Sequence, residues 1–257
     1  MIYRTPNSKT VYKQYDSRWG SKYYPTKNST MAGSGCGCVA VTHCAMEVDG
    51  QSKWTPLKTY SYMVKYAVAG HGTEWKGIPA GLKKFGLENV KEIGTMAELF
   101  DKMKRGNVVA VLLFNNNTGG KRKILWTSGG HYVAAVGYKK EDGDDVLYTK
   151  DSGGRNHDGW FGYSSSIKGA VFKVWVGTLP KKRITLPARG YFKEGDKGEN
   201  VRILQEWLNA NGHDCGEADG IYGQLTAAGV KKFEKKYGLK VDGLWGAKCQ
   251  RKYKELI

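Results

Sequence analysis

The segment Leu179-Pro180-Lys181-Lys182-Arg183-Ile184-Thr185-Leu186-Pro187 constrains the fold more than any other stretch. Two prolines around a basic run interrupt both helix and central strand, because proline lacks the backbone N–H and fixes φ. Residues before this break alternate between helix and strand patterns, and residues after it read as helices. The expectation is a first domain over residues 1–178, a basic linker over 179–190 and a second domain over 191–257.

In the first part, Cys36 to Val48 reads as a helix. Thr55-Pro56 starts another, with Leu57, Tyr60, Val64 and Ala67-Val68 on one face and Gly70 beyond its end. Thr95 with Glu98 three residues on forms a capping box, and that helix stops before Gly106. Strand patterns then take over: Val108 to Phe114, Tyr132 to Tyr138, Val146 to Thr149 and Ala170 to Val176. Glu141-Asp142-Gly143-Asp144 is a hairpin turn joining the second and third. Helices first and an antiparallel sheet later make an α+β domain.

The last part repeats itself. Asp219-Gly220-Ile221-Tyr222-Gly223 recurs as Asp242-Gly243-Leu244-Trp245-Gly246. Apolar stripes precede Gly212 (Val201, Leu204, Leu208) and Gly238 (Ala227, Val230, Phe233, Tyr237), where glycine suits a helix C-terminus. A small all-α domain of about three short helices follows, near the lower size limit for independent folding.

With 257 residues, 40% hydrophobic and 25% charged, the chain can bury a core. No stretch approaches the ~18 apolar residues of a membrane span. Met1-Ile2-Tyr3-Arg4-Thr5-Pro6 lacks a signal-peptide core, so the chain is expected to begin as a cytoplasmic protein. The five cysteines are odd in number and scattered, which argues against a disulfide framework. Cys36, Cys38, His43 and Cys44 match no common zinc spacing, so no metal and no cofactor is expected. The net charge is +17, with 25 Lys and Arg against 14 Asp and Glu in residues 1–180. Such a surface suits polyanions: nucleic acid, anionic lipid or the anionic polymers of a bacterial wall.

Three residues carry the chemistry. Cys36 sits in Gly35-Cys36-Gly37-Cys38 at a helix start, where the helix dipole favours the thiolate and the Cys36 N–H can serve an oxyanion. Gly35 and Gly37 keep the backbone open to a substrate carbonyl. His131 opens a strand after Gly129-Gly130 and would act as base, then acid. Asp151 ends the neighbouring strand and would hold the other imidazole nitrogen, although an Asp before Ser-Gly-Gly is also a turn former. Hairpin pairing would set the two strands side by side. His43, His71, His157 and His213 show no partner pattern; His157-Asp158-Gly159-Trp160 could line the cleft, with a turn the favoured reading.

These residues occur in the order used by papain-like cysteine peptidases, and residues 10–178 resemble the branch related to double-glycine leader peptidases of bacteriocin exporters. Ser34-Gly35-Cys36-Gly37 resembles that family's cysteine motif, Gly130-His131-Tyr132-Val133 with Val136-Gly137-Tyr138 its histidine motif, and Asp151 with Gly153-Gly154 its aspartate motif. Gln14-Tyr15-Asp16-Ser17-Arg18-Trp19 resembles the upstream segment whose glutamine completes an oxyanion hole. The resemblance gives Gln14 that role; a surface amide ahead of a core Trp19 is the other reading. Cys38 stands where many relatives have proline, which leaves Cys36 and Cys38 both open as nucleophile, with the flanking glycines favouring Cys36.

Residues 191–257 resemble the helical peptidoglycan-binding domain of wall hydrolases, through Gly195-Asp196, Leu204-Gln205, Asp219-Gly220, Tyr222-Gly223, Val241-Asp242-Gly243 and Trp245-Gly246. Glu234 replaces a frequent glutamine and Cys249 a frequent threonine. Asp219, Tyr222, Asp242 and Trp245 suit a groove for amide and sugar groups; helix caps and core aromatics are the alternative.

The combination implies an endolysin-like enzyme that cuts amide bonds of peptidoglycan, with peptidoglycan itself and anionic wall polymers as partners. An endopeptidase is favoured over an amidase that frees the stem from the sugar. Leader-peptide processing and non-catalytic wall binding are the competing functions. The basic clusters Lys121-Arg122-Lys123 and Lys181-Lys182-Arg183 lack a recognition motif, so nucleic acid is not expected as a partner, nor is membrane insertion. Sequence leaves the oligomeric state open.

Overall fold

The strand patterns beyond residue 107 assemble into one antiparallel sheet in the computed structural model, which describes residues 1–49, 53–115, 118–180 and 183–257. In chain order the first unit contains β1 (Ile2–Arg4), α1 (Met31–Ser34), α2 (Cys36–Asp49) and α3 (Pro56–Met63). It continues with β2 (Ala67–Val68), β3 (Gly72–Thr73), α4 (Gly77–Lys84), β4 (Glu88–Ile93), α5 (Met96–Met103) and β5 (Val108–Asn115). Next come β6 (Thr118–Gly119), β7 (Ile124–Leu125), β8 (Gly130–Glu141), β9 (Asp144–Asp151), β10 (Gly159–Gly162) and β11 (Val171–Thr178). The second unit contains α6 (Glu199–Ala210), α7 (Gln224–Lys236) and α8 (Ala247–Leu256).

The main sheet runs β10-β9-β8-β5-β11-β4, with β1 also pairing to β8. Its two faces carry separate apolar cores. Val109, Val111, Leu113, Ala134 and Val136 face α2, while Ala110, Leu112, Phe114, Val133 and Ala135 face α5. This is the period-two alternation of a sheet covered on both sides. The β8–β9 connection has positive φ at Asp142 (48°) and Gly143 (78°), the geometry of a type I′ hairpin turn. Thr95 caps α5, its hydroxyl accepting the Glu98 N–H at 3.1 Å.

The helix expected from Thr55 is shorter than its stripe suggested. It ends at Met63, passes through a tight turn at Val64–Tyr66 and becomes β2. Gly70 (φ 75°) therefore belongs to the β2–β3 turn and not to a helix end.

Helix α2 is buried along almost its whole length, including the charged Glu47. Glu47 is satisfied by Arg4 Nη2 (2.6 Å), the Asn7 N–H (2.8 Å) and Lys150 Nζ (3.2 Å). A carboxylate in such a place persists only with partners of this kind. The network ties β1, α2 and β9 together.

Contacts divide the chain into Met1–Pro180 and Lys181–Ile257. Lys181 and Lys182, part of the linker expected over 179–190, lie outside the described residues. The remainder is not free linker: Ile184 is buried in the core of the second unit, and Leu186 packs on it. That core is closed by Leu204, Leu208, Val230, Phe233, Trp245 and Tyr253 from the three helices and the loops between them. No helix among the described residues is long and apolar enough to cross a membrane.

Candidate active site

Antiparallel pairing brings the three residues of the first unit to one end of the sheet. Val133 of β8 lies opposite Asp151 of β9, so His131, two residues earlier, is the diagonal neighbour of Asp151 on the same face. His131 Nε2 and Asp151 Oδ1 are 2.6 Å apart. The N-terminus of α2 reaches the same place and brings Cys36 beside the His131 imidazole. With Nε2 committed to Asp151, Nδ1 is the nitrogen left for the thiol.

Electrostatics favour an ion pair. Burial alone would raise the Cys36 thiol, but the bond to His131 and the N–H groups of Tyr132 and Gly37 outweigh it and lower its pKa. Burial likewise disfavours a charged His131, yet hydrogen bonds to Asp151 and Cys36 push it up to about 10. Asp151 is also buried, and donors from His131, His157 and the Gly153 N–H hold it well below the usual carboxylate range. These shifts favour a thiolate, an imidazolium and a carboxylate in a row, the charge pattern suited to nucleophilic attack on an amide carbonyl.

Cys38 stands apart. It is fully buried, burial pushes its thiol up to about 12, and its sulfur contacts Thr59 Oγ1 at 3.6 Å. Cys44 points to the Ala110 carbonyl, and His43 Nε2 accepts the Tyr12 N–H. Burial, then the charges of Lys150 and Lys13, lower the pKa of His43 and keep it neutral.

The glycines beside Cys36 act differently from the expectation. A Cβ on Gly37 would sit 2.4 Å from Thr73 Oγ1, and one on Gly35 would sit 2.6 Å from the Met31 carbonyl. Both serve close packing, not an open approach to the sulfur. Gly153 has a comparable function at Asp151: a Cβ there would press to 3.2 Å from His131 Nε2, and its N–H binds Asp151 Oδ1 at 2.7 Å.

A cavity of about 330 Å³ opens over Cys36, lined among others by His71, Trp75, Asn115, Gly130 and Phe172. Trp75 and Phe172 are both about half exposed, with ring centroids 5.8 Å apart. Gln14 is seated elsewhere than expected of a surface amide. Its Nε2 donates to the Ala32 carbonyl (2.7 Å), its Oε1 accepts from Ser152 Oγ (3.1 Å), and it bridges the Asp151 strand end to the segment before Cys36.

His157, read from sequence as part of a turn, is buried against Asp151: its Nδ1 lies 3.1 Å from Oδ2. The β9–β10 hairpin folds it back over the carboxylate. No local motif announces this; the only signal is a histidine six residues past the aspartate on a returning strand.

In the second unit the four residues assigned to a binding groove divide into two buried aromatics and two exposed carboxylates. Tyr222 and Trp245 are completely buried and cannot stack on a ligand. Their polar atoms are used internally, Tyr222 Oη on the Gly243 carbonyl (2.8 Å) and Trp245 Nε1 on Gln250 Oε1 (2.9 Å). Asp219 accepts from the Ile221 N–H (2.8 Å) and Gln205 Nε2 (3.0 Å), and Asp242 from the Leu244 N–H (3.0 Å). Asp242 also borders a second cavity of about 330 Å³ with Tyr191, Leu239, Lys240 and Lys248.

Residues 10–178 match the Peptidase_C39 like family. The chain belongs to that family. Outside the C39-like unit, residues 197–252 match the peptidoglycan binding domain family. A spore cortex-lytic enzyme of Bacillus cereus is 36% identical over 78 residues, covering 30% of this chain and 30% of that protein. The N-acetylmuramoyl-L-alanine amidase CwlL of Bacillus licheniformis is 39% identical over 138 residues, covering 49% of this chain and 38% of its own length. The chain thus spans about a third of the length of these relatives. Among solved structures, the SleB N-terminal domain shares 35% identity over 28% of this chain and 97% of its own, with a TM-score of 0.26.

Proposed function

We propose that this protein hydrolyses amide bonds of bacterial peptidoglycan, with Cys36 as nucleophile, His131 as base and acid, and Asp151 as the group that fixes the imidazole. The observation that carries the reading is the 2.6 Å contact of His131 with Asp151, with the imidazole beside Cys36, which lines an open cavity. The thiolate attacks the scissile carbonyl carbon and forms a tetrahedral oxyanion. The Cys36 N–H at the start of α2 and the Gln14 amide proton not used by Ala32 are the oxyanion donors. His131 then protonates the leaving amine, a thioester forms, and water activated by His131 releases the acid.

The match over residues 197–252 supports a role for the second unit in holding the enzyme on an insoluble polymer, which raises the local concentration of scissile bonds. The positive charge, +17 overall, adds salt-sensitive attraction to anionic wall polymers. Stem-peptide or cross-bridge cleavage is the favoured reaction, because a C39-like site is built to attack a peptide carbonyl.

The test adds wild type and Cys36→Ala to purified walls and identifies released fragments by mass spectrometry. Wild type should expose new amino and carboxyl ends within the stem or cross-bridge. Cys36→Ala should lose on the order of 10⁶-fold in rate, as nucleophile removal does in triad hydrolases. Wall lysis retained by Cys36→Ala would falsify the nucleophile assignment, and ends at the sugar–stem junction would make the enzyme an amidase.

A further inference from the structure

Asp151 carries more than a triad carboxylate needs. Its Oδ1 accepts from His131 Nε2 (2.6 Å) and the Gly153 N–H (2.7 Å). Its Oδ2 accepts from His157 Nδ1 (3.1 Å) and the His157 N–H (3.3 Å). Both oxygens of an ionised carboxylate only accept, so both imidazoles present an N–H to it. We propose that His157 is a positioning residue: its Nδ1–H pins Oδ2 and so fixes the carboxylate plane whose other oxygen aligns His131 with Cys36.

The surroundings show a ring held for one orientation. Trp126 packs against His157 at a tilt of 38°, 4.5 Å between centroids, and Phe161 meets it edge-on at 5.9 Å. The backbone is fixed as well, with the His157 carbonyl accepting from Thr149 Oγ1 at 2.6 Å. Asp158, the next residue, accepts the Asp151 N–H through Oδ1 (2.7 Å) and pairs with Lys13 Nζ through Oδ2 (2.8 Å). Lys13 Nζ also binds the Asp151 carbonyl (2.8 Å). The charged or titratable groups around Asp151 and His157 are therefore His131 and Cys36 from β8 and α2, His43 from α2, Lys150 from β9, Lys13 from the N-terminal segment and Asp158. His131 and His157 itself make the side-chain hydrogen bonds to the Asp151 carboxylate.

An aspartate side chain turns readily about its last torsion, which is broad and roughly two-fold. A donor on Oδ2 removes that freedom at the oxygen His131 does not use. Two effects compete when the donor is lost. The carboxylate gains basicity, which strengthens its hold on His131; its Oδ2 is also left with only the longer backbone contact from the His157 N–H, which loosens the plane and weakens the alignment. The short, directional Nε2–Oδ1 contact makes alignment the larger effect.

The inference rests on the peptidase reading, and its experiment separates the two. Full-length wild type, His157→Leu, His157→Asn and His157→Gln are alkylated with iodoacetamide across pH, with Cys36→Ala as the blank for the other cysteines. The same proteins are assayed on purified walls. Wild type should react at Cys36 below the usual thiol range. His157→Leu should move that reactivity to higher pH and lower kcat about tenfold to a hundredfold, the effect of losing one hydrogen bond to a charged group, with KM unchanged. His157→Asn, whose amide nitrogen lies near the position of Nδ1, should recover wild-type behaviour to within a few-fold; His157→Gln should not. An unshifted alkylation profile in His157→Leu overturns the proposal, as does a shift to lower pH. If His157→Leu does not fold, equal behaviour of the Asn and Gln variants overturns it. Wild type with no low-pH reactivity at Cys36 sinks the peptidase reading, and this inference with it.

Discussion

Asp151 in the first unit and Asp219 and Asp242 in the second share a local geometry and differ in everything else. Each accepts the backbone N–H two residues on: Gly153 at 2.7 Å, Ile221 at 2.8 Å and Leu244 at 3.0 Å. This is the Asx turn that a short carboxylate makes beside glycine. The remaining lone pairs meet different partners. Asp151 meets two imidazoles and stays ionised. Asp219 meets the amide of Gln205, which also accepts the Gly220 N–H. Asp242 meets the carboxyl of Glu234, which accepts the Gly243 N–H in the place that Gln205 fills in the first copy. Turn formation is a local property of these aspartates, and their chemistry is set by what the fold brings to the far oxygen.

The largest test of this contrast is Asp151→Asn. The amide oxygen can keep the Gly153 turn, but the group can no longer hold the His131 tautomer as an ionised carboxylate does. Wall-hydrolysis kcat should fall about 10⁴-fold, as in other triads, with the melting temperature nearly unchanged. A loss of less than tenfold would place Asp151 with the turn formers.

Asp219→Ala breaks two hydrogen bonds at once, both accepted by Oδ1, and should lower the Tm of the second unit. Calorimetry of the full chain should show one transition lowered, while alkylation of Cys36 keeps its wild-type rate. An unmoved transition would make the turn dispensable.

The smallest effect is expected from Glu234→Gln, which turns the second copy into the first. Burial raises the pKa of Glu234, and Asp242 raises it further. A group raised on folding adds stability that is fully present below its unfolded pKa and fades as pH climbs through the folded one. The wild-type second transition should therefore fall as pH rises above the ordinary value of 4.5. In Glu234→Gln that slope should flatten and stability at pH 8 rise by about 1 kcal/mol, the scale of one neutral hydrogen bond. A slope identical to wild type would mean that Glu234 is not the group that titrates.

Much of this could be read in the sequence where a local rule was strong. The β8–β9 hairpin followed from Asp142-Gly143, the start of α5 from Thr95 and Glu98, and α6 and α7 from their apolar stripes. Strand β4 escaped because Glu88–Ile93 is largely exposed and carries little alternation, and β10 because Gly159–Gly162 is four residues long. The helix from Pro56 was drawn too long because Val64 and Ala67-Val68 continue its stripe into a turn and a strand. At the site, Cys36, His131 and Asp151 stood out through their flanks, and the fold gathers them. Tyr222 and Trp245 misled because an aromatic between glycines looks the same whether it faces a ligand or a core. Only the packing of Phe233, Trp207 and Tyr253 around Trp245 distinguishes the two.

The Glu47 network has a mechanical consequence. Arg4 and Asn7 hold one end of a clamp whose other members are the helix that begins with Cys36 and Lys150, the residue before Asp151. The first seven residues act as a keystone, so peeling them away would unseat the nucleophile's helix and the carboxylate's strand in the same event. The active centre would then fail abruptly, as an arch does, instead of wearing down residue by residue.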